Sequence, residues 1–203
     1  GVYIPAFFFI YLSPIHHVHA LTLVGAYRAL SYTIASTLVT FPFMAGIATL
    51  FTMITWWLVG LPNIADVIVF NIFVVFTILC AGSAFATLMS VIVPNPMTGQ
   101  TAGSALFSVM FLFSGFFIKG NYIPDYWIWL HYLSLFKYAY DSLLVNGFTD
   151  VTTSTMSNSQ ILEYFSVDDT NRWQGVGILW LFIIFFRIIF WYRLTTAFSG
   201  TRK

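Results

Sequence analysis

Few side chains in this sequence could do chemistry. His16, His17 and His19 place three imidazoles within four positions, which can hold a metal, but no thiol or carboxylate lies beside them in the sequence. A partly protonated interfacial loop is the preferred reading, and no metal site is assigned. Arg187 lies inside the apolar run Gly175 to Tyr192, and an ionisable group at membrane depth is a functional candidate by default. Its place near one end of that run equally fits a guanidinium reaching out to head groups. Lys137 and Asp141 stand one helical turn apart and are expected to pair. Asp66 is expected at a helix start, where a negative charge is favourable. Cys80 is the single cysteine, so an internal disulfide is excluded and a small buried hydrophobe is expected. No Gly-x-x-x-x-Gly-Lys-Ser/Thr loop, no Gly-x-Ser-x-Gly elbow and no His-Glu-x-x-His pair occurs. No catalytic residue is assigned, and these residues cannot cradle ATP.

The elements that must position the remaining candidates are set by composition. Of 203 residues 59% are hydrophobic and only 7% charged, with a mean hydropathy of +0.85. A soluble domain carries about a quarter charged residues, and one of this length still exposes much of its surface. The solvent for this chain is therefore lipid, and an all-α integral membrane protein is expected. The net charge of +1 gives no basic field for nucleic acid, which is excluded as a partner.

No charged residue occurs from Ala29 to Ala65, nor from Val67 to Ile118. One crossing takes about 20 mostly apolar residues, so helices are expected at about 30–59, 64–92, 100–117 and 175–192. Gly60-Leu61-Pro62-Asn63 ends the first, and Val93 to Gly99, with two prolines, separates the second from the third. The opening run Val2 to Leu12 lacks a basic flank and a cleavage site. It reads as the tail of another spanning helix, residues 1–13, so about five spans are expected in what looks like a piece of a longer chain. Arg28, Arg193, Arg202 and Lys203 gather on one side, which the positive-inside tendency makes cytoplasmic. The segment 119–173 then falls outside. Asn121 to Tyr132 is rich in Tyr and Trp, suited to the membrane interface, and Ser134 to Phe148 reads as an amphipathic helix of a protein-shielded re-entrant hairpin. Residues 149–171 read as a polar, acidic loop.

Several stretches carry a family likeness. Gly25 to Tyr32 with Pro42, Val93-Pro94-Asn95-Pro96, Phe113-Ser114-Gly115-Phe116-Phe117-Ile118, Ile123-Pro124, Trp127 to Trp129, Tyr132 to Tyr138, Leu143 to Phe148 and Phe186 to Trp191 occur in that order. Together they resemble the membrane domain of the ABCG (White) subfamily of ABC exporters, in the flavour of plant half-size members, over about Gly25 to Leu194. The resemblance implies the ABC-2 type (type II exporter) transmembrane helix bundle with external re-entrant helices. It implies a homo- or heterodimer with another half-transporter, and an ATP-binding domain, outside these residues, that would hold ATP and Mg. It also implies an apolar or amphipathic small-molecule substrate, such as a lipid, and a multi-pass location, the plasma membrane rather than an organelle.

Carried over by position, the substrate cavity would be lined by Ser104, Phe107, Ser108 and Phe111. Ser104, Ser108 and Phe111 also share one helix face by spacing, and small hydroxyls with an aromatic ring suit an uncharged flat ligand. Ordinary helix packing through small residues is the competing reading. Phe116 and Phe117 fall where the family has a hydrophobic plug, and are assigned as the gate. One departure is plain: the family's charged elbow is replaced by Ser13 to Val24, which holds three histidines and no charged pair. Two readings stand, a permease part of an ATP-driven exporter and a truncated, non-transporting fragment that at most dimerises with intact relatives.

Overall fold

The computed structural model describes residues 29–60, 64–93, 95–118, 123–148 and 172–199. All regular secondary structure among the described residues is helical: α1 (Ala29–Val59), α2 (Ala65–Ile92), α3 (Pro96–Leu112), α4 (Ile128–Leu133), α5 (Leu135–Phe148) and α6 (Arg172–Ser199). The readings made on 1–28, including the helix 1–13, the three histidines and Arg28, lie outside the described residues. So do Lys119, the loop 149–171, Arg202 and Lys203.

Among the described residues three helices are long and apolar enough to cross a membrane: Thr33–Val59, Ala65–Ile92 and Arg172–Thr195. The helix expected at 100–117 is found as α3, which has 17 residues and is about 25 Å long, near the lower end of what a crossing takes. It starts earlier than expected because Pro96 takes the first helical position, where its missing N–H costs nothing, and Gly99 N donates to Asn95 O at 2.9 Å. It stops earlier because the chain turns at Ser114 and Gly115, whose φ of +95° only glycine adopts without strain. α6 runs past the expected 175–192 at both ends, since hydropathy marks the lipid-embedded stretch and not the helix ends. At the end of α1, Gly60 takes φ +70° and its N–H bonds Trp56 O at 3.1 Å, a left-handed C-terminal stop.

The helices contribute to two compact units. In the unit formed by Gly1–Phe43, Cys80–Phe107 and Phe182–Lys203, α2 presents small buried residues, Ala81, Ser83, Ala84 and Ala86. Such residues let helix backbones approach closely where lipid supplies no hydrophobic contrast. Phe85 fills the space between, edge-to-face with Phe107 at 4.9 Å and with Phe186 at 5.6 Å.

In the unit formed by Met44–Leu79 and Ser108–Leu181, α1 buries Met44, Ala48, Thr52 and Trp56 at every fourth position. Exposed apolar residues such as Leu50, Phe51, Trp57 and Leu58 cover the rest of its surface, as a lipid-facing helix requires. A polar staple joins α2, α5 and α6. Arg172 Nη2 lies 3.0 Å from Asp66 Oδ2, Arg172 Nη1 donates to Asn146 Oδ1 at 3.3 Å, and Asn146 Nδ2 donates to Val67 O at 2.9 Å. Asp66 thus sits at a helix start as expected, with a guanidinium partner besides. Trp173 packs edge-on against Phe70 at 5.0 Å. α5 and α6 meet through Gly175, whose missing Cβ leaves room for Ser142 Oγ and for Tyr138 O, 2.7 Å from where a Cβ would be.

Two stability predictions follow from these contacts. Gly175→Val should cost about 1–3 kcal/mol by overpacking, whereas Gly177→Ala, where nothing lies within 4 Å, should be neutral or stabilising. Thermal unfolding in detergent separates the two. By the same assay Asn146→Ala, which strips partners from a residue only 2% exposed, should cost about 1–3 kcal/mol. Asp66→Asn should cost no more than about 1 kcal/mol, because the Asp66 side chain is 71% exposed.

Candidate functional site

The sequence-assigned cavity residues all lie on α3, and the structure gives them different surroundings. In the first unit, Ser104 is half-buried and its hydroxyl donates to Thr101 O at 3.0 Å, satisfied within its own helix. Phe107 packs against Ala86, beside Phe85 and 3.8 Å from a Cβ built on Gly82. Its ring therefore serves helix packing. In the second unit, Ser108 and Phe111 are exposed on the single chain.

Phe111 belongs to an aromatic cluster. Its ring lies 5.3 Å from Phe117 and 5.4 Å from Phe136, both edge-to-face. Phe116 meets Phe117 at 5.0 Å and Tyr140 at 5.8 Å in the same manner. The geometry brings the assigned gate, Phe116 and Phe117, onto the assigned cavity residue Phe111, and adds Phe136 and Tyr140. Those two were missed by sequence reasoning, although they stand one turn apart on α5 and share a face. Phe111, Phe116 and Phe117 remain 46%, 59% and 58% exposed, so the rings stack on one another while presenting a bare apolar surface. A patch of clustered rings without charge suits an apolar partner.

The cluster hangs on the broken end of α3. A helix leaves its last carbonyls without intrahelical donors, and in lipid each such group costs several kcal/mol. Here Val109 O accepts from Phe113 N and Phe111 O from Ser114 N, at 3.1 and 3.2 Å. Ser134, at the α4–α5 junction, donates its buried hydroxyl to Met110 O at 2.6 Å. His131 Nδ1 lies 2.8 Å from Phe113 O. A carbonyl only accepts, so Nδ1 carries the proton and Nε2 the lone pair. Phe113 also stacks on Trp127 at 5.8 Å.

Electrostatics around the junction favour neutral groups. Burial, the larger influence, pulls His131 below its ordinary 6.5, helped by the Lys137 charge and opposed by the Phe113 carbonyl bond. Burial and then the Asp141 carboxylate push the Tyr138 and Tyr140 phenols up, so both stay protonated. The Lys137–Asp141 pair expected from spacing forms at 3.7 Å, with the ammonium 4.7 Å from the Tyr132 ring centre. Among the described residues no group of three or more His, Cys, Asp or Glu side chains is arranged to hold a metal.

The family model described as ABC-2 type transporter matches residues 6–148. Among curated proteins, ABC transporter G family member 1 of Arabidopsis thaliana is 31% identical over 223 aligned residues, covering 90% of this chain and 30% of that protein. ABC transporter G family member 6 of the same plant is 32% identical, over 90% of this chain and 31% of its own length. Member 16 is 39% identical over 142 residues, 70% of this chain and 19% of that protein. The chain thus spans about a third or less of the length of these relatives. With a matched membrane-domain model over most of its length, helices that suit a bilayer and these relatives, the chain belongs to the ABC-2 type transporter family and shares its membrane domain with ABC transporter G family proteins.

Proposed function

We propose that this chain is the permease part of an ATP-driven exporter of lipids or other apolar and amphipathic small molecules. The observation that carries this reading is the uncharged aromatic cluster Phe111, Phe116 and Phe117, exposed at the end of α3 in an ABC-2 type chain. Such a surface needs cover, and a second half-transporter, identical or related, would supply it. Two clusters facing each other would make a hydrophobic plug that opens by separation of rings, with no proton or covalent chemistry. Substrate contact then rests on dispersion and ring faces, with Ser108 as a nearby hydroxyl. Ser104 and Phe107 take a packing role in this reading. Energy comes from ATP-binding domains, where ATP and Mg would sit, because these residues contain no phosphate-binding loop. The plasma membrane is the proposed location, and the basic side of the chain faces the cytoplasm.

The test is transport by the chain paired with an ABC transporter G family ATP-binding domain in a cell that lacks such exporters. Phe116→Ala combined with Phe117→Ala should change export of an apolar fluorescent substrate at least about tenfold, a barrier change of about 1.4 kcal/mol, with surface expression within twofold of the unsubstituted chain. Unchanged export in the well-expressed double variant removes the two rings from the gate. No export from either form favours the non-transporting reading.

A further inference from the structure

We infer that Tyr140 determines which molecules the aromatic gate prefers: its phenol hydroxyl donates a hydrogen bond to an uncharged oxygen, such as an ester or alcohol oxygen, on an amphipathic substrate. The inference rests on the gate reading given above and adds the class of substrate that the gate favours. Five rings make up the cluster, and four of them, Phe111, Phe116, Phe117 and Phe136, carry no polar atom. The fifth, Tyr140, stands one turn after Phe136 on the same face of α5 and meets Phe116 edge-to-face at 5.8 Å. Its ring belongs to the cluster by packing, and its hydroxyl is the one polar side-chain group among the five rings. Two residues earlier, Tyr138 spends its hydroxyl inside the protein, donating to Tyr132 O at 2.8 Å. The Tyr140 hydroxyl makes no hydrogen bond to any described residue.

Tyr140 is half-buried on the single chain, and the four phenylalanine rings offer it no acceptor. When a second half covers the exposed faces of Phe116 and Phe117, water is driven from the cluster and a phenol without an acceptor becomes costly. A molecule that carries an oxygen between the rings removes that cost, and a plain hydrocarbon does not. The neighbouring charges decide which oxygen is welcome. Lys137 is held by Asp141 at 3.7 Å, with its ammonium 4.7 and 5.2 Å from the ring centres of Tyr132 and Tyr138. That ammonium is engaged on the α4 side of α5 and with its own carboxylate. Asp141, next in sequence to Tyr140, adds to burial in keeping the phenol protonated, so the hydroxyl is a donor at neutral pH. The same negative field penalises an anion beside that oxygen. Neutral acceptors are therefore favoured over carboxylates.

The test reads binding by photolabelling, which requires no transport. The purified full chain in detergent micelles is irradiated with three diazirine-bearing probes of equal chain length: a fatty methyl ester, the matching alkane and the matching carboxylate. Labelling of the peptides that hold residues 111–117 and 136–140 is quantified by mass spectrometry. It is normalised to labelling of α1, whose exposed apolar side chains report partition into the micelle. The ester should label the cluster about fivefold more than the alkane, the worth of one net hydrogen bond, and the carboxylate no more than the alkane. Tyr140→Phe keeps the ring and deletes the hydroxyl. It should bring the ester down to the alkane value while leaving the alkane within twofold, and Tyr138→Phe should keep the ester preference. Equal labelling by ester and alkane in the unsubstituted chain overturns the inference. So does an absence of cluster labelling by the ester, a carboxylate preferred to the ester, or an ester preference that survives in Tyr140→Phe. A Tyr140-dependent ester preference beside unchanged export in the Phe116 and Phe117 double variant would keep the binding role of Tyr140 and remove only the gate. Far-UV circular dichroism of each variant confirms that the helices persist.

Discussion

A helix that ends inside or beside lipid must find donors for its last carbonyls, because no water is there to supply them. That constraint organises the end of α3. The helix stops at Leu112, and its terminal carbonyls are met by Ser134 and by the turn's own amides. His131 takes the first carbonyl of the turn itself. Ser134 and His131 come from the α4–α5 junction, so these short helices help to finish the end of α3 and the turn that follows it. The aromatic cluster is a consequence. Once the junction is fastened to α3, Phe136 and Tyr140 on α5 are brought against Phe111, Phe116 and Phe117.

A second polar knot does comparable work in the same unit. Asp66, Asn146 and Arg172 bind the beginnings of α2 and α6 to the end of α5. Its worth lies in the buried amide more than in the ion pair. Asn146 is enclosed and would leave Val67 O without its side-chain donor if lost, whereas Asp66 is largely open to solvent. The bare glycine at 175 lets α5 and α6 come close enough for the knot to form.

Much of this was legible in the sequence, and the reasons are physical. Charge-free runs located α1 and α2, and an apolar run with the single charge Arg187 located α6, because lipid tolerates few ionised groups. Lys137 and Asp141 were legible as a pair because a helix alone sets their separation. Helix ends were read less well: the expected 100–117 became Pro96–Leu112, since hydropathy reports lipid contact while Pro96 and Gly115 decide where the helix can run. The staple was out of reach, for Asn146 and Val67 lie 79 positions apart and nothing local points from one to the other. His131 was legible only as one polar residue in an interfacial aromatic stretch. Of the site residues, Phe111, Phe116 and Phe117 were assigned from family likeness, and the structure brings their rings together. Phe107, assigned to the same cavity, packs on α2 because Gly82 and Ala86 leave a space its ring fills.

The central claim is that the exposed rings at the end of α3 form a gate between two halves of an exporter. The most direct measurement joins two copies there and asks whether export stops. Phe117→Cys in a Cys80→Ala background, paired with ATP-binding domains, is oxidised to a cross-linked dimer, assayed for export and then reduced. The account predicts a cross-link across the pair, loss of export on oxidation and its return on reduction. Full export from the quantitatively cross-linked protein, or no cross-link in an exporting one, would contradict it.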